Sequence, residues 1–309
     1  MRVALTFFGL VVLGTGIADA QERPSVLFIG NSFTFGSGSA VRFYRANTVT
    51  DLNDEGIGGV PALFKSFADQ SGLAYDVFLE TRGGSGYEFH LAAKRDVIGA
   101  RRWDTVVMHG QSTLDLDKPG DPTKFLATSQ EMAEFLHGLN PAMDIYVTAT
   151  WSRADETYPS DGAWFGKPIE AMALDVRAAY DQAASHAPGV KSVNPVGEAW
   201  TRAMETGVAD ANPYDGIDAG KLDLWTFDHY HASTAGYYLE ALVVFGNVTG
   251  VDPRSLSENE CSGFELGLAR PAVSALQQVA YDQLAADGIA TRVPAGMSPP
   301  ARNARCAAH

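Results

Sequence analysis

The sequence predicts an α/β domain built on a five-stranded parallel sheet with helices on both faces. Strand-like and helix-period segments alternate from residue 25 to about 250, and such alternation folds into a parallel sheet with helices packed above and below. The strand candidates are short and apolar, as strands buried on both faces are. A chain of this length is long enough for one large α/β core and shows no internal repeat or low-complexity segment that would divide it.

The first strand is residues 26–29, Val-Leu-Phe-Ile, and it stops at Gly30-Asn31-Ser32. The second is residues 75–80, the third 105–108, the fourth 144–149 and the fifth 190–193. Helix-period segments lie between them, at about 60–71, 87–100, 123–139, 168–186 and 195–206, with two more at about 233–248 and 270–286. Right-handed crossovers put every strand's carboxyl end on one edge. Open α/β sheets bind ligands at that edge. Three segments, about 35–56, 151–167 and 207–227, are too long for plain connections and lead to it. They carry Phe43, Tyr44, Trp151, Tyr158, Trp164, Phe165, Tyr214 and Trp225. Aromatics of this kind either line a site for sugar rings or apolar acyl groups or pack the loops themselves.

The ends read differently. Arg2, the apolar run 4–12 and Ala18-Asp19-Ala20 before Gln21 form a secretory signal over residues 1–20. The run is too short to span a bilayer, so the expected location is secreted or periplasmic. Residues 21–287 are the expected folded domain. Residues 288–309, with Pro294, Pro299 and Pro300, read as an extended tail. The formal charge is −14, and losing the signal removes one Arg and one Asp and leaves it unchanged. That acidity excludes nucleic acid and anionic membrane surfaces as partners, since both require Lys/Arg patches. The two cysteines, Cys261 and Cys306, form one disulfide or remain free thiols.

Four stretches at strand ends or before a helix carry chemistry: Gly30-Asn31-Ser32, Arg82-Gly83-Gly84-Ser85-Gly86, His109-Gly110-Gln111-Ser112 and Asp228-His229-Tyr230-His231. A serine hydroxyl needs a base to become a nucleophile, and histidine is the usual one near neutral pH. The base needs an acceptor on its other ring nitrogen. Asp228, three residues before His231, is close enough to supply it, so Ser32, Asp228 and His231 are the candidate triad. The alternative for His229 and His231 is a metal pair beside Asp228; no metal or other cofactor is expected. Oxyanion donors would be the Ser32 N–H, a glycine N–H of the second stretch and the Gln111 amide. The acidic run Asp210, Asp215, Asp218 and Asp223 lacks calcium-loop spacing and reads as a solvated loop. Asn247-Val248-Thr249 is a formal glycosylation sequon at a helix end.

These four blocks resemble the SGNH hydrolase superfamily, the GDSL-type esterases and lipases. The family opens with Gly-Asp-Ser or Gly-Asn-Ser, continues with a glycine after the second strand and an Asn after the third, and closes with Asp-x-x-His. Gly30-Asn31-Ser32 and Asp228-x-x-His231 match the first and last. The resemblance covers about residues 25–250 and looks like the Gly-Asn-Ser-Phe-Thr branch. It implies a flavodoxin-like three-layer α/β/α sandwich and metal-free, serine-dependent ester hydrolysis. The second block has three glycines, Gly83, Gly84 and Gly86, so its donor is ambiguous; Gly84 is the candidate, with Gly86 the alternative. The third block departs from the pattern, with Gln111 where Asn is usual and Ser112 where Asp often follows. The expected activity is an exported serine esterase acting on short acyl groups, including carbohydrate O-acetyl groups. The alternatives are acyl transfer to a saccharide hydroxyl and a non-catalytic saccharide-binding module. No Gly-x-Ser-x-Gly elbow, His-Glu-x-x-His or dinucleotide or phosphate loop is present.

Overall fold

The computed structural model describes residues 23–296 and Cys306; the predicted signal segment and most of the proline-containing tail lie outside the described residues. Along the chain, β1 (Ser25–Gly30) runs into α1 (Ser32–Phe35). Then come β2 (Thr50–Asp51), α2 (Gly59–Gln70), β3 (Asp76–Thr81), α3 (Tyr87–Ala93) and α4 (Arg95–Ile98). Next are β4 (Thr105–Met108), α5 (Thr123–Leu139), β5 (Asp144–Ala149), α6 (Ala154–Thr157), α7 (Glu170–His186), β6 (Val190–Pro195) and α8 (Val196–Glu205). The chain continues through α9 (Thr234–Thr249), α10 (Cys261–Glu265) and α11 (Arg270–Ala286).

The sheet order is β2-β3-β1-β4-β5-β6, and all its pairings are parallel. The predicted α/β/α class is the observed one, but the sheet has six strands where the sequence predicts five. The additional β2 is two residues long, paired at Thr50 with Phe78 and at Asp51 with Leu79. Two residues cannot show a period, so pattern reading has nothing to detect. The helical segment 87–100 is two helices, because Lys94 leaves helical geometry at φ −126°, ψ 7°.

β1 lies at the centre because both of its faces are apolar. Val26 and Phe28 enter a core shared with Leu63 of α2, Ala199 of α8, Leu242 of α9 and Leu276 of α11. Leu27 and Ile29 enter the opposite core with Met132 of α5 and Val176 of α7. Each buried aliphatic or aromatic side chain contributes roughly 1.5–3 kcal/mol, so a one-residue slip of β1 would exchange the two sets and lose the fit of both. The chain turns one way from β1 to β3 and the other way from β4 to β5. The switch point therefore lies between β1 and β4, and the segments after these two strands flank it.

The aromatics of the long loops divide into two groups. Trp151, Trp164 and Trp225 are buried. Trp151 stacks between Phe33 and Trp200, at 4.0 and 4.6 Å between ring centroids. Loop packing is therefore what these three tryptophans do. Phe43, Phe165 and Tyr214 are exposed, as is Phe227, which sequence reasoning did not single out. In the acidic loop, Asp210 accepts from the backbone N–H groups of Asn212 and Asp218 and organises the turn. The Asn247 side chain donates to Ser192, Val193 and Asn194 of β6, so the sequon amide is consumed inside the fold. Cys261, the first residue of α10, is bridged to Cys306 with the Cα atoms 5.4 Å apart. Among the described residues no helix is long and apolar enough to cross a membrane.

Candidate active site

Gly30 ends β1 because nothing larger fits there. A Cβ on it would fall on the Thr34 hydroxyl and lie 2.6 Å from His109 Nε2. Asn31 caps α1, its Oδ1 accepting from Phe33 N at 3.1 Å. Its Nδ2 donates to Ser85 O at 2.9 Å and to Gly110 O at 3.1 Å. One side chain thus ties together the segments that follow β1, β3 and β4. Ser32 is the first residue of α1 and is 5 % exposed. Its hydroxyl and its N–H make no hydrogen bond among the described residues, while its carbonyl accepts from Tyr237 at 3.1 Å.

The Asp228–His231 turn approaches from α9. Phe33, next to Ser32, packs edge-on against the His231 ring at 5.8 Å and against Tyr230 at 5.4 Å. Ser39 and Thr234 join their hydroxyls at 3.0 Å across the same junction. Asp228 Oδ2 bonds His231 Nδ1 at 2.7 Å. Its Oδ1 accepts from Thr226 Oγ1 at 2.6 Å, Tyr230 N at 3.0 Å and His231 N at 2.9 Å. Burial works against this charge, but the bonds from His231, Thr226 and the two backbone N–H groups outweigh it and hold the carboxyl well below the usual range. An ionised Asp228 only accepts, so the proton of a neutral His231 sits on Nδ1 and Nε2 is left as the basic nitrogen.

The oxyanion candidates meet at the other side of Asn31. Gly84 has φ +71°, a conformation that strains any other residue, and its N–H is unbonded among the described residues. Gln111 Nε2 donates to Gly84 O at 3.3 Å while its Oε1 accepts from Ser112 N at 3.0 Å. Both ends of the longer amide are held, which leaves one of its N–H groups free. Gly83 faces Phe35, and Gly86 precedes α3 beside Glu88, so Gly84 is the glycine that contacts Gln111. The three candidate triad residues and the two candidate oxyanion segments thus lie around the carboxyl ends of β1, β3 and β4.

Two neighbours were not apparent as partners in the sequence. His109 is buried, and the loss of solvent, opposed by the Gly110 carbonyl and aided by the charge of His90, pulls it down to about 4. It is therefore neutral near pH 7. Its Nδ1–H faces the Gly110 carbonyl at 3.0 Å, and its Nε2 accepts from Thr34 at 2.6 Å. His109 thus supports α1 and offers no base to Ser32. Thr226 fixes Asp228; a hydroxyl two residues before a carboxylate is the local signal that could have revealed it. His229 lies against Tyr214, rings 4.3 Å apart, with φ +54°. Among the described residues no group of three ligating side chains is placed to hold a metal ion.

The backbone matches solved structures over most of its length. A DUF4886 family protein from Bacteroides uniformis superposes with a TM-score of 0.60 at 15% identity, covering 90% of this chain and 100% of that one. A protein from Slackia heliotrinireducens, provisionally assigned to the SGNH hydrolases, gives 0.51 at 20% identity, covering 74% of this chain and all of its own. The fold is that of the SGNH hydrolases. A protein from Parabacteroides merdae provisionally described as a GDSL-like lipase gives 0.52 at 15% identity over 74% of this chain and 96% of its own. No family model matches the sequence, and no curated protein matches it. At these identities the SGNH likeness is one of fold; the chemistry has to be argued from the residues.

Proposed function

We propose that this chain is an exported serine hydrolase that cleaves carboxylic esters through Ser32, His231 and Asp228. The observation that carries the reading is the Asp228–His231 pair. Its carboxylate is saturated with donors and bonded to Nδ1, beside a helix whose first residue is a serine with an unengaged hydroxyl. Ser32 Oγ attacks the acyl carbon while His231 Nε2 takes its proton. The tetrahedral oxyanion is held by the N–H groups of Ser32 and Gly84 and the amide of Gln111. Collapse expels the alcohol, which receives the proton from His231. Water then repeats the sequence on the acyl-enzyme and releases the acid.

The substrate we propose is a short acyl ester, with an O-acyl saccharide as the natural form. The support is the signal-like residues 1–20 together with exposed aromatics on the loops of the site edge, above all Phe227, 88 % exposed and adjacent to Asp228. Aryl esters from acetyl to palmitoyl and acetylated polysaccharides, each run against a Ser32→Ala control, test this. Turnover that peaks at acetyl to butyryl and disappears in the control is the expected result. Turnover unaffected by Ser32→Ala, or confined to long acyl chains, contradicts it.

A further inference from the structure

A second Ser–His–carboxylate constellation lies under the glycine turn. Glu80 on β3 and His90 on α3 are completely buried and joined through Glu80 Oε2 and His90 Nδ1. His90 Nε2 is 3.4 Å from Ser85 Oγ. Ser85 Oγ in turn donates to Arg82 O at 2.7 Å, and Ser85 N reaches the same carbonyl at 3.3 Å.

We propose that Glu80, His90 and Ser85 form a sealed hydrogen-bond relay that holds the turn from Arg82 to Gly86, and so sets the Gly84 N–H, for the oxyanion. This rests on the ester-hydrolase reading of the site. The relay has one consistent direction. A carbonyl only accepts, so Ser85 spends its single hydroxyl proton on Arg82. Its oxygen can then only accept from His90, and Nε2 must carry a hydrogen. The remaining bond, between Nδ1 and Glu80, holds one further proton. The pair is neutral as a unit, which lowers the cost of burying it.

These are positioning residues and not a second catalytic centre. His90 has no exposed surface, and the Ser85 proton is already committed. What the relay controls is a turn that cannot hold itself. Gly83, Gly84 and Gly86 leave its backbone permissive. Ser85 O receives Asn31, and Gly84 O receives Gln111, so any shift of the turn moves both donors beside Ser32. If the pair only joined α3 to β3, removing one partner would cost stability and leave kcat and the Gly84 amide unchanged.

That contrast supplies the test. Glu80→Gln can donate its amide N–H to Nδ1 while its oxygen still accepts from Asn53 Nδ2, now 3.3 Å from Glu80 Oε1; Nε2–H is kept. Glu80→Leu removes the partner. We expect kcat on an aryl ester to stay within about fivefold for Glu80→Gln and to fall about 10–100-fold for Glu80→Leu, with KM held, as loss of an outer supporting partner does. In ¹H–¹⁵N spectra the Gly84 amide, four residues from the change, should shift in Glu80→Leu and not in Glu80→Gln. If Glu80→Leu does not fold, Ser85→Ala replaces it, with the same kcat loss at constant KM. A folded Glu80→Leu with unaltered kcat and an unmoved Gly84 amide overturns the proposal, as does a Ser85→Ala protein with unaltered kcat. If the wild type hydrolyses no ester, the hydrolase reading fails by itself and the Gly84 amide alone decides the relay.

Discussion

Replacing Asp228 by Asn changes one atom and should disable the site without unfolding it. The carboxylate accepts four hydrogen bonds, three at Oδ1 and one at Oδ2. An amide has only one oxygen to offer. Placing it where Thr226, Tyr230 N and His231 N converge keeps three bonds and the turn. The amide nitrogen then faces His231 Nδ1 and donates to it, so the ring must carry its proton on Nε2. That is the wrong tautomer for taking the proton from Ser32. A forced tautomer of this kind lowers kcat about 10⁴-fold, equal to about 5.4 kcal/mol of transition-state stabilisation at 1.36 kcal/mol per tenfold. The opposite flip would keep His231 in its working tautomer but leave three donors against an NH₂ group, so the structure favours the disabling orientation by bond count. The assay is steady-state hydrolysis of an aryl acetate, with circular dichroism to confirm folding. An Asp228→Asn protein within tenfold of wild type would refute the tautomer argument.

Other consequences are equally direct. Gln111→Ala should lower kcat about 10²–10³-fold with KM little changed, as losing one oxyanion donor does, and Gln111→Asn should rescue poorly because the shorter amide cannot reach both its anchors and the substrate; a rise in KM alone would make Gln111 a substrate-binding residue. Cys306→Ser opens a 45-residue separation and should lower stability by at most about 4 kcal/mol in urea titrations; an unchanged midpoint would show that the bridge does not restrain the unfolded chain. Glu240 is buried on α9 with one oxygen unpartnered, and burial pushes its carboxyl well above the ordinary range. The folded protein therefore keeps a proton that the unfolded chain releases, and the wild type loses stability as pH rises above the ordinary glutamate value. Glu240→Gln should remove that loss, so its Tm should exceed the wild type's at pH 8 by more than at pH 4; a constant difference contradicts the assignment.

The sequence showed most of the scaffold because its signals were periodic and long. β5 at 144–149 and α5 at 123–139 were read with their observed bounds, since each combines an apolar pattern with clear ends. β2 escaped because its strand character exists only through pairing with β3. The break at Lys94 escaped because Ala93 and Lys94 are good helix formers and nothing local forbids continuation. In the site, blocks defined by chemistry were legible as candidates: Gly30-Asn31-Ser32 and Asp228-x-x-His231 carry the residue types of a nucleophile and a base in a short span. The supports were not, because they act across the chain. Asn31 reaches 54 and 79 residues away, and Glu80 meets His90 only when α3 folds back on β3. Tryptophans in long loops carry no local sign of whether they face solvent or core, and Trp151, Trp164 and Trp225 all face the core.

Ser32 is the proposed nucleophile, and covalent labelling can identify it. The purified protein is treated with an aryl phosphonate that modifies activated serines, and the labelled peptide is sequenced by mass spectrometry. One phosphonyl group per chain is expected, on Ser32, appearing at the rate at which esterase activity is lost and absent from His231→Ala. Esterase activity that persists in protein left unlabelled, or a label on Ser85 or Ser112 in place of Ser32, would contradict it.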